Sequence, residues 1–353
     1  MLSVAAGAHF IMGPEVQKLE EQLAAYVGVK HCLSCANGTD ALTLALKVWG
    51  IGPGDAVFVP DFTFFSSAEV VALEGATPVF VDVDARTYNI DTKSLEAAVQ
   101  AVLAEGLLRP RVVIAVDLFG LPANYPALRA VADKYGLLVL EDGAQGFGGS
   151  IGSRKACSFG DISTTSFFPA KPLGCYGDGG AVFTDNDEWA ALIASYRVHG
   201  KGTDKYDNVR IGLNSRLDTL QAAILQVKLS VFDDEVARID AAAREYTRRL
   251  SGKVVTPVVP EGFGSSWAQY TVQLESPAQR AHVQGVLKEA GIPSMVYYPK
   301  PMHGQTAFSA LPGHPCPTAS RLCDTVLSLP MHPYLSLTEI ETVSSALIAA
   351  LVF

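Results

Sequence analysis

Residues 112–142 read VVIAVDLFGLPANYPALRAVADKYGLLVLED, and this stretch decides the fold. Two short apolar runs, residues 112–116 and 137–141, flank a segment of helical character over residues 125–135. The runs are apolar at successive positions, as strands covered on both faces are; half-exposed strands alternate instead. Parallel strands need a long crossover between them, normally a helix. The stretch is therefore a βαβ unit, and Asp142 stands where its second strand runs out.

The same alternation extends outward. Residues 56–60 (AVFVP) and 77–83 (TPVFVDV) read as strands. Residues 15–26, 41–48, 66–73 and 90–103 read as helices, the third ended by Gly75 and the last capped by Asp91 or Thr92. Strands separated by helices predict an α/β fold with a mostly parallel central sheet flanked by helices. A long helical pattern covers residues 217–250. After it the texture changes: residues 270–274 alternate like a half-exposed strand, and residues 281–290 are helical up to Gly291-Ile292-Pro293. Eight prolines lie between Pro293 and Pro333, followed by a last helix over residues 337–351. We expect a large α/β domain over residues 1–235 and a smaller α+β domain over residues 236–353. Phe10-Ile11-Met12-Gly13-Pro14 leads straight into the first helix, so a preceding segment is expected to be missing.

A chain of 353 residues that is 49% apolar can bury two cores and a subunit interface. No apolar run approaches the roughly 18 residues that span a bilayer. The N-terminus lacks the basic-then-apolar layout of a signal peptide. A cytoplasmic protein without membrane contact is expected. The net charge of −9 argues against non-specific nucleic-acid binding but leaves local capture of one phosphate or diphosphate open. Cys32 and Cys35 form a C-x-x-C with no second such pair and no close histidine pair. They read as small buried residues beside a helix start, with neither disulfide nor metal expected.

In open α/β sheets ligands bind beyond the carboxyl ends of the strands. Asn37-Gly38-Thr39-Asp40 opens an apolar helix, with Thr39 or Asp40 able to cap it. The segment is either an ordinary capped helix or an anion site with free N–H groups. Asp142 is either a turn residue or a buried acid, which is costly without a partner such as a protonated pyridine nitrogen. Gln145 lies three residues on, within reach of such a ring's phenolic oxygen. Gly146, Gly148 and Gly149 suggest a dinucleotide loop only superficially, because no helix follows them at once. Lys171 sits in Ser166-Phe167-Phe168-Pro169-Ala170-Lys171-Pro172-Leu173-Gly174, a constrained loop. It is either a surface lysine or a desolvated amine able to act as nucleophile and base. Ser166 can give a hydroxyl to the same phosphate as Thr39. An amine, a buried carboxylate and a phosphate-sized helix start are the parts that hold pyridoxal 5′-phosphate (PLP), the cofactor of amino-group chemistry.

Residues 34–42 (SCANGTDAL), 141–145 (EDGAQ), 166–171 (SFFPAK) and 177–181 (GDGGA) together resemble the DegT/DnrJ/EryC1/StrS family. These are PLP-dependent nucleotide-sugar aminotransferases of PLP-dependent transferase fold type I. The resemblance covers nearly the whole chain from Phe10 onward; the family usually has a helix before that point. It implies that Lys171 bonds covalently to the cofactor and that Asp142 pairs with the ring nitrogen. It further implies that Gly38, Thr39 and Ser166 hold the phosphate, that Phe64 stacks on the ring and that Gln145 meets the phenolic oxygen. Asn214 matches an asparagine that reaches the phosphate from the partner subunit, which implies a homodimer with shared sites. Read alone, Asn214-Ser215 is only a cap for a helix from Leu217 onward.

By the same resemblance, the amino group comes from an amino acid, glutamate by analogy, leaving 2-oxoglutarate. The acceptor is a keto-sugar linked to a nucleoside diphosphate, with ping-pong kinetics. The lysine loop resembles that of members acting at the sugar's 3-position; many 4-position members have histidine where this chain has Phe168. Residues 197–200 (RVHG) and 209–218 (VRIGLNSRLD) look like aminotransferases of UDP-2-acetamido-3-keto-glucuronate. Arg216 is then a two-pronged donor to a carboxylate, or else pairs with Asp218 or an interface acid. Tyr297, Tyr298 and His303 lie on a proline-rich loop that either closes over the sugar nucleotide or simply packs. Rival readings are a 4-aminotransferase, a dehydratase of the same family and a PLP-fold regulatory protein. Lys171 argues against the dehydratases, which carry histidine there.

Overall fold

The computed structural model describes residues 1–204, 206–311 and 315–351. In chain order the elements are α1 (Leu2–Gly7), α2 (Pro14–Val27), β1 (His31–Cys35), α3 (Gly38–Val48), β2 (Asp55–Pro60), α4 (Ser66–Leu73), β3 (Thr77–Val81), α5 (Thr92–Glu105) and β4 (Arg109–Val116). There follow α6 (Tyr125–Tyr135), β5 (Leu138–Asp142), β6 (Ser150–Ile151), β7 (Arg154–Lys155), β8 (Ile162–Ser166), β9 (Gly180–Thr184), α7 (Asp187–Tyr196), α8 (Thr219–Leu229) and α9 (Phe232–Leu250). The chain continues through β10 (Phe263–Gly264), β11 (Tyr270–Gln273), α10 (Pro277–Glu289), α11 (Pro317–Thr325), β12 (Val326–Leu329) and α12 (Leu337–Ala350). Among the described residues no helix is long and apolar enough to cross a membrane.

Seven strands form the central sheet in the order β1-β9-β8-β5-β4-β2-β3. Only β9 opposes the rest, pairing antiparallel with both β8 and β1. The opening stretch is the β4-α6-β5 crossover, with Val112 opposite Leu138 and Val116 opposite Asp142. Its apolar runs divide by parity. Val112, Ile114 and Val116 enter the core under α3 and α4, whereas Val113 and Ala115 enter the core under α5 and α6. At ~25 cal/mol per Å² of apolar surface, burying a Val or Ile side chain stabilises by about 2 kcal/mol, so a charge at any one of these positions would cost the core that it faces.

Four expectations need correction. A helix, α1, precedes Phe10. The pattern over residues 217–250 is two helices, because Ser230 turns its hydroxyl to the Val227 carbonyl and Val231 leaves helical geometry (φ −117°, ψ 4°). The break lets Leu225 and Phe232 pack with α2 while Ala243 and Tyr246 reach a separate C-terminal core. Strand β11 is buried at all four positions instead of half-exposed. Tyr270 and Val272 face that C-terminal core. The Thr271 carbonyl accepts from the Tyr88 hydroxyl, and Gln273 donates to the Ala85 carbonyl. Its alternation thus marks an apolar core on one face and a polar seam on the other. Finally, Asn214-Ser215 caps no helix: Asp218 is the N-cap position of α8, and Ser215 instead accepts from the Ala36 amide.

Candidate active site

Antiparallel pairing of β9 with both neighbours sets Gly180 opposite Ser166 on one side and Cys35 on the other. A Cβ on Gly180 would lie 2.5 Å from the Asn37 carbonyl oxygen, so glycine lets the chain leaving β1 pass closely. That passage brings the start of α3 against Ser166: a Cβ on Gly38 would lie 2.8 Å from the Ser166 Cβ. The cap of α3 is Asn37, whose side chain accepts from the Asp40 amide at 2.8 Å, rather than Thr39 or Asp40. The first amides of an α-helix have no partner within it. With Asn37 occupied by Asp40, the amides at the very start of α3 remain for an anion. Thr39 meets Ser66 hydroxyl to hydroxyl at 2.9 Å. Gly38 and Ser166 thus adjoin as a cradle, with Thr39 beside Gly38 in sequence and its hydroxyl turned to Ser66.

Asp142 ends β5 and is buried. Strand parity sends it and its neighbour Glu141 to opposite faces of the sheet. Its Oδ2 accepts from Ser67 at 2.8 Å and its Oδ1 from the Ala144 amide at 3.2 Å. Burial raises its pKa above the usual carboxylate range, opposed by the Ser67 hydrogen bond, then by the charge of Lys171 and the Ala144 amide. Lys171 is held in a tight turn, its amide donating to the Phe168 carbonyl at 2.8 Å. Burial pulls its amine below the usual lysine value, while the charge of Asp142 pushes it up. Each group thus restores part of the charge that burial takes from the other.

A loop from the C-terminal third covers the other side. Gln145 accepts from the Phe119 amide at 2.7 Å and donates to the Tyr298 hydroxyl at 3.0 Å. The Tyr298 ring tilts against Phe64, centroids 6.1 Å apart, and Phe64 remains about half exposed. His303 is fixed by Asp61, which opens the loop leaving β2 and is fully buried. Asp61 accepts the His303 amide at 2.8 Å and sits 2.6 Å from its Nδ1.

Asn214 and Arg216 are not brought into this group. Asn214 is exposed and accepts from Arg216. No ion pair joins Arg216 to Asp218 among the described residues. Sequence reading also missed Asp61, Thr63 and Ser67. Their one signal was the density of small polar residues in 61–67 (DFTFFSS), directly after a strand. Among the described residues no cluster of His, Cys, Asp and Glu could hold a metal ion.

The residues fit PLP. Gly38 leaves no side chain in the cradle, the buried Asp142 is incompletely bonded, and the Lys171 amine is desolvated. These three features suit a phosphate, a pyridinium and an aldehyde. Comparison with known proteins agrees. The DegT/DnrJ/EryC1/StrS aminotransferase family profile matches residues 1–348. A Pseudomonas aeruginosa protein named UDP-2-acetamido-2-deoxy-3-oxo-D-glucuronate aminotransferase is 46% identical over 339 residues, covering 96% of this chain and 91% of its own. The crystal structure of a DegT DnrJ EryC1 StrS aminotransferase from Brucella abortus superposes with a TM-score of 0.96 at 49% identity, covering 98% of this chain and 92% of that one. The NtdA structure from Bacillus subtilis, with bound PMP, superposes with a TM-score of 0.90 at 26% identity, covering 99% of this chain and 80% of that one. PMP is the amine form of PLP. The chain belongs to the DegT/DnrJ/EryC1/StrS family and is a PLP-dependent aminotransferase.

Proposed function

We propose that the protein moves an amino group from L-glutamate to a keto-sugar linked to a nucleoside diphosphate, at the sugar's C3, in amino-sugar and polysaccharide biosynthesis. The observation that carries this is one site in which the Lys171 amine and the buried Asp142 carboxylate favour each other's charge beside the Gly38–Ser166 cradle. When bound, PLP supplies the electron sink that makes an amino acid's α-proton removable. The chain does the rest. Lys171 Nζ, with its lowered pKa, would carry that proton to the cofactor's C4′ and, in the reverse half-reaction, would take a proton from C4′ and give it to the sugar carbon. Asp142 holds the proton on the ring nitrogen. The Gly38 and Thr39 amides and the Ser166 hydroxyl hold the phosphate, Phe64 covers the ring and Gln145 meets the phenolic oxygen.

The choice of C3 rests on Phe168 and on the name of the Pseudomonas relative, which specifies a 3-oxo sugar acid on UDP. In this reading Arg216 binds the substrate's carboxylate, while Tyr298 and His303 close over the sugar nucleotide. The exposure of Asn214 accords with its reaching the phosphate of a second subunit, in a homodimer with shared sites. We also propose the division into residues 1–235 and 236–353, since the core changes along α9 between Phe232 and Ala242.

The test is turnover with glutamate of UDP- and dTDP-linked sugars bearing the keto group at C3 or C4, with products identified by mass spectrometry and NMR. Amination at C3 with parallel lines in two-substrate plots is expected. Amination at C4, or intersecting lines, overturns the corresponding part.

A further inference from the structure

The Asp142 carboxylate is served by a chain of buried hydroxyls from a different element. Ser67, in the first turn of α4, is 1% exposed, and Thr63, in the loop before it, is fully buried. Thr63 Oγ1 lies 3.3 Å from Ser67 Oγ, which lies 2.8 Å from Asp142 Oδ2. An ionised carboxylate only accepts hydrogen bonds, and a hydroxyl has one proton to give. With Asp142 charged, Ser67 must donate to it, and Thr63 must donate to Ser67. The chain is then polarised along its length toward the acid. A protonated Asp142 would no longer need that donation.

We propose that Ser67, backed by Thr63, is a positioning residue that keeps Asp142 charged and fixed in orientation for the cofactor's ring nitrogen. The proposal rests on the reading of Asp142 as the partner of that nitrogen. Ser67 itself touches no reacting atom. The other groups around Asp142 cannot take over the task. Lys171 supplies a charge but becomes bonded to the cofactor in the same reading. The Ala144 amide is the longer contact, at 3.2 Å. Tyr298 and Cys157 stay neutral, because burial raises both their pKa values. On the opposite face Asp117 is also pushed up by burial and by Glu141. Glu141 is engaged by the amides of Cys157, Phe159 and Gly160 and by the Ser163 hydroxyl.

The sign of the pH effect follows. The folded pKa of Asp142 is raised above its unfolded value, so its contribution to stability is complete below the unfolded pKa. That contribution is lost as pH rises through the folded pKa. Removing Ser67 raises the folded pKa further, so the loss at neutral and alkaline pH must grow.

The experiment uses the full-length apoprotein with Ser67→Ala, Asp142→Asn and the double substitution. Urea unfolding is followed at pH 5 and pH 8, and PLP affinity is measured by equilibrium dialysis. A hydrogen bond to a charged group sets the expected scale: Ser67→Ala weakens PLP binding about tenfold or more. The variant's deficit in urea midpoint is larger at pH 8 than at pH 5. In the Asp142→Asn background both effects vanish, and Ser67→Thr, which keeps the hydroxyl, restores binding. The proposal is overturned if PLP affinity is unchanged. It is equally overturned if the deficit is the same at both pH values, or if it persists without the Asp142 charge. Should Ser67→Ala not fold, Ser67→Cys, close in volume and a weaker donor, gives the same readouts. None of these depends on transamination, so failure here is separable from failure of the proposed reaction.

Discussion

Gly38→Ala tests the phosphate cradle by geometry alone. Alanine is ordinarily the better residue in a helix, by roughly 0.5–1 kcal/mol over glycine. Here the new Cβ would lie 2.8 Å from the Ser166 Cβ, 3.3 Å from its Oγ and 3.5 Å from its Cα. The first contact is about half an ångström or more inside ordinary van der Waals separation. It is made to a strand residue held between β5 and β9, so yielding means moving backbone. Overpacking of this kind costs about 1–3 kcal/mol, so after the helix gain the net loss lies between about zero and about 2.5 kcal/mol. Cofactor binding should suffer more. The methyl group enters the cradle and turns the Ser166 hydroxyl away; one charge-assisted hydrogen bond is worth about 1.5–3 kcal/mol, or roughly tenfold to a hundredfold in affinity. The assay is urea unfolding of the apoprotein together with absorbance titration by PLP. Gly38→Ala/Ser166→Gly should recover much of the stability, because the clashing atom is gone, but not the affinity, because the hydroxyl is gone too. Wild-type PLP affinity in Gly38→Ala, or joint recovery of both properties in the double variant, would refute the cradle.

Other perturbations have equally definite outcomes. Borohydride reduction of the PLP-loaded protein followed by peptide mapping should place a pyridoxyl adduct on Lys171, and Lys171→Ala should lose both the adduct and turnover. Arg197 is buried and its guanidinium donates to Glu20 at 2.6 Å and to the Ser34 carbonyl at 2.7 Å, just before the cradle. Arg197→Met should therefore cost about 2 kcal/mol of stability, since it leaves a partly buried acid held only by the Ser34 amide and hydroxyl; a urea midpoint within error of wild type would contradict this. Asp61→Asn removes the acceptor that fixes the His303 ring through Nδ1. It should raise KM for the nucleotide sugar more than it lowers kcat, as steady-state kinetics in both substrates would reveal.

The parts of the fold that could be read in the chain were those whose signal is local. The all-apolar runs of β2, β4 and β5 declared a sheet covered on both faces, and the helical segments between them fixed its parallel core. Lys171, Asp142 and Gly38 pointed to chemistry only in combination, because each alone reads as well as a surface lysine, a turn residue or an ordinary helix start. What stayed hidden depends on distant partners. Nothing near Gly180 announces that β1 will pass within contact of it, yet that passage sets Gly38 against Ser166. Thr39 or Asp40 looked able to cap α3, and only the backbone conformation shows that Asn37 does. The break at Ser230–Val231 follows from two cores competing for one amphipathic pattern. Ser67 is an ordinary residue for a helix start, and its role appears only once α4 lies over the end of β5.

The buried acids at the carboxyl edge of the sheet show why Asp142, rather than a neighbour, is suited to a cationic ring. A carboxylate offers about four lone-pair positions. Glu141 has all of them engaged, by three backbone amides and the Ser163 hydroxyl, so it has nothing left to offer a ligand. Asp117 accepts from the Ala123 amide and the Tyr125 hydroxyl on one oxygen only, and its pKa is driven well up, which favours the neutral acid. Asp61 is matched by the amide and ring of a single histidine. Asp142 accepts from Ser67 and Ala144, leaving roughly half of its capacity open. Burial already penalises its charge, which is why its pKa is raised. A pyridinium N–H relieves a cost that the fold already bears, whereas at Glu141 it would displace bonds that are already made. Part of the affinity for the cofactor is therefore stored in the apoprotein as an under-satisfied acid. By linkage, PLP must stabilise the fold more than phosphate does at equal free concentration, and Asp142→Asn should narrow that difference.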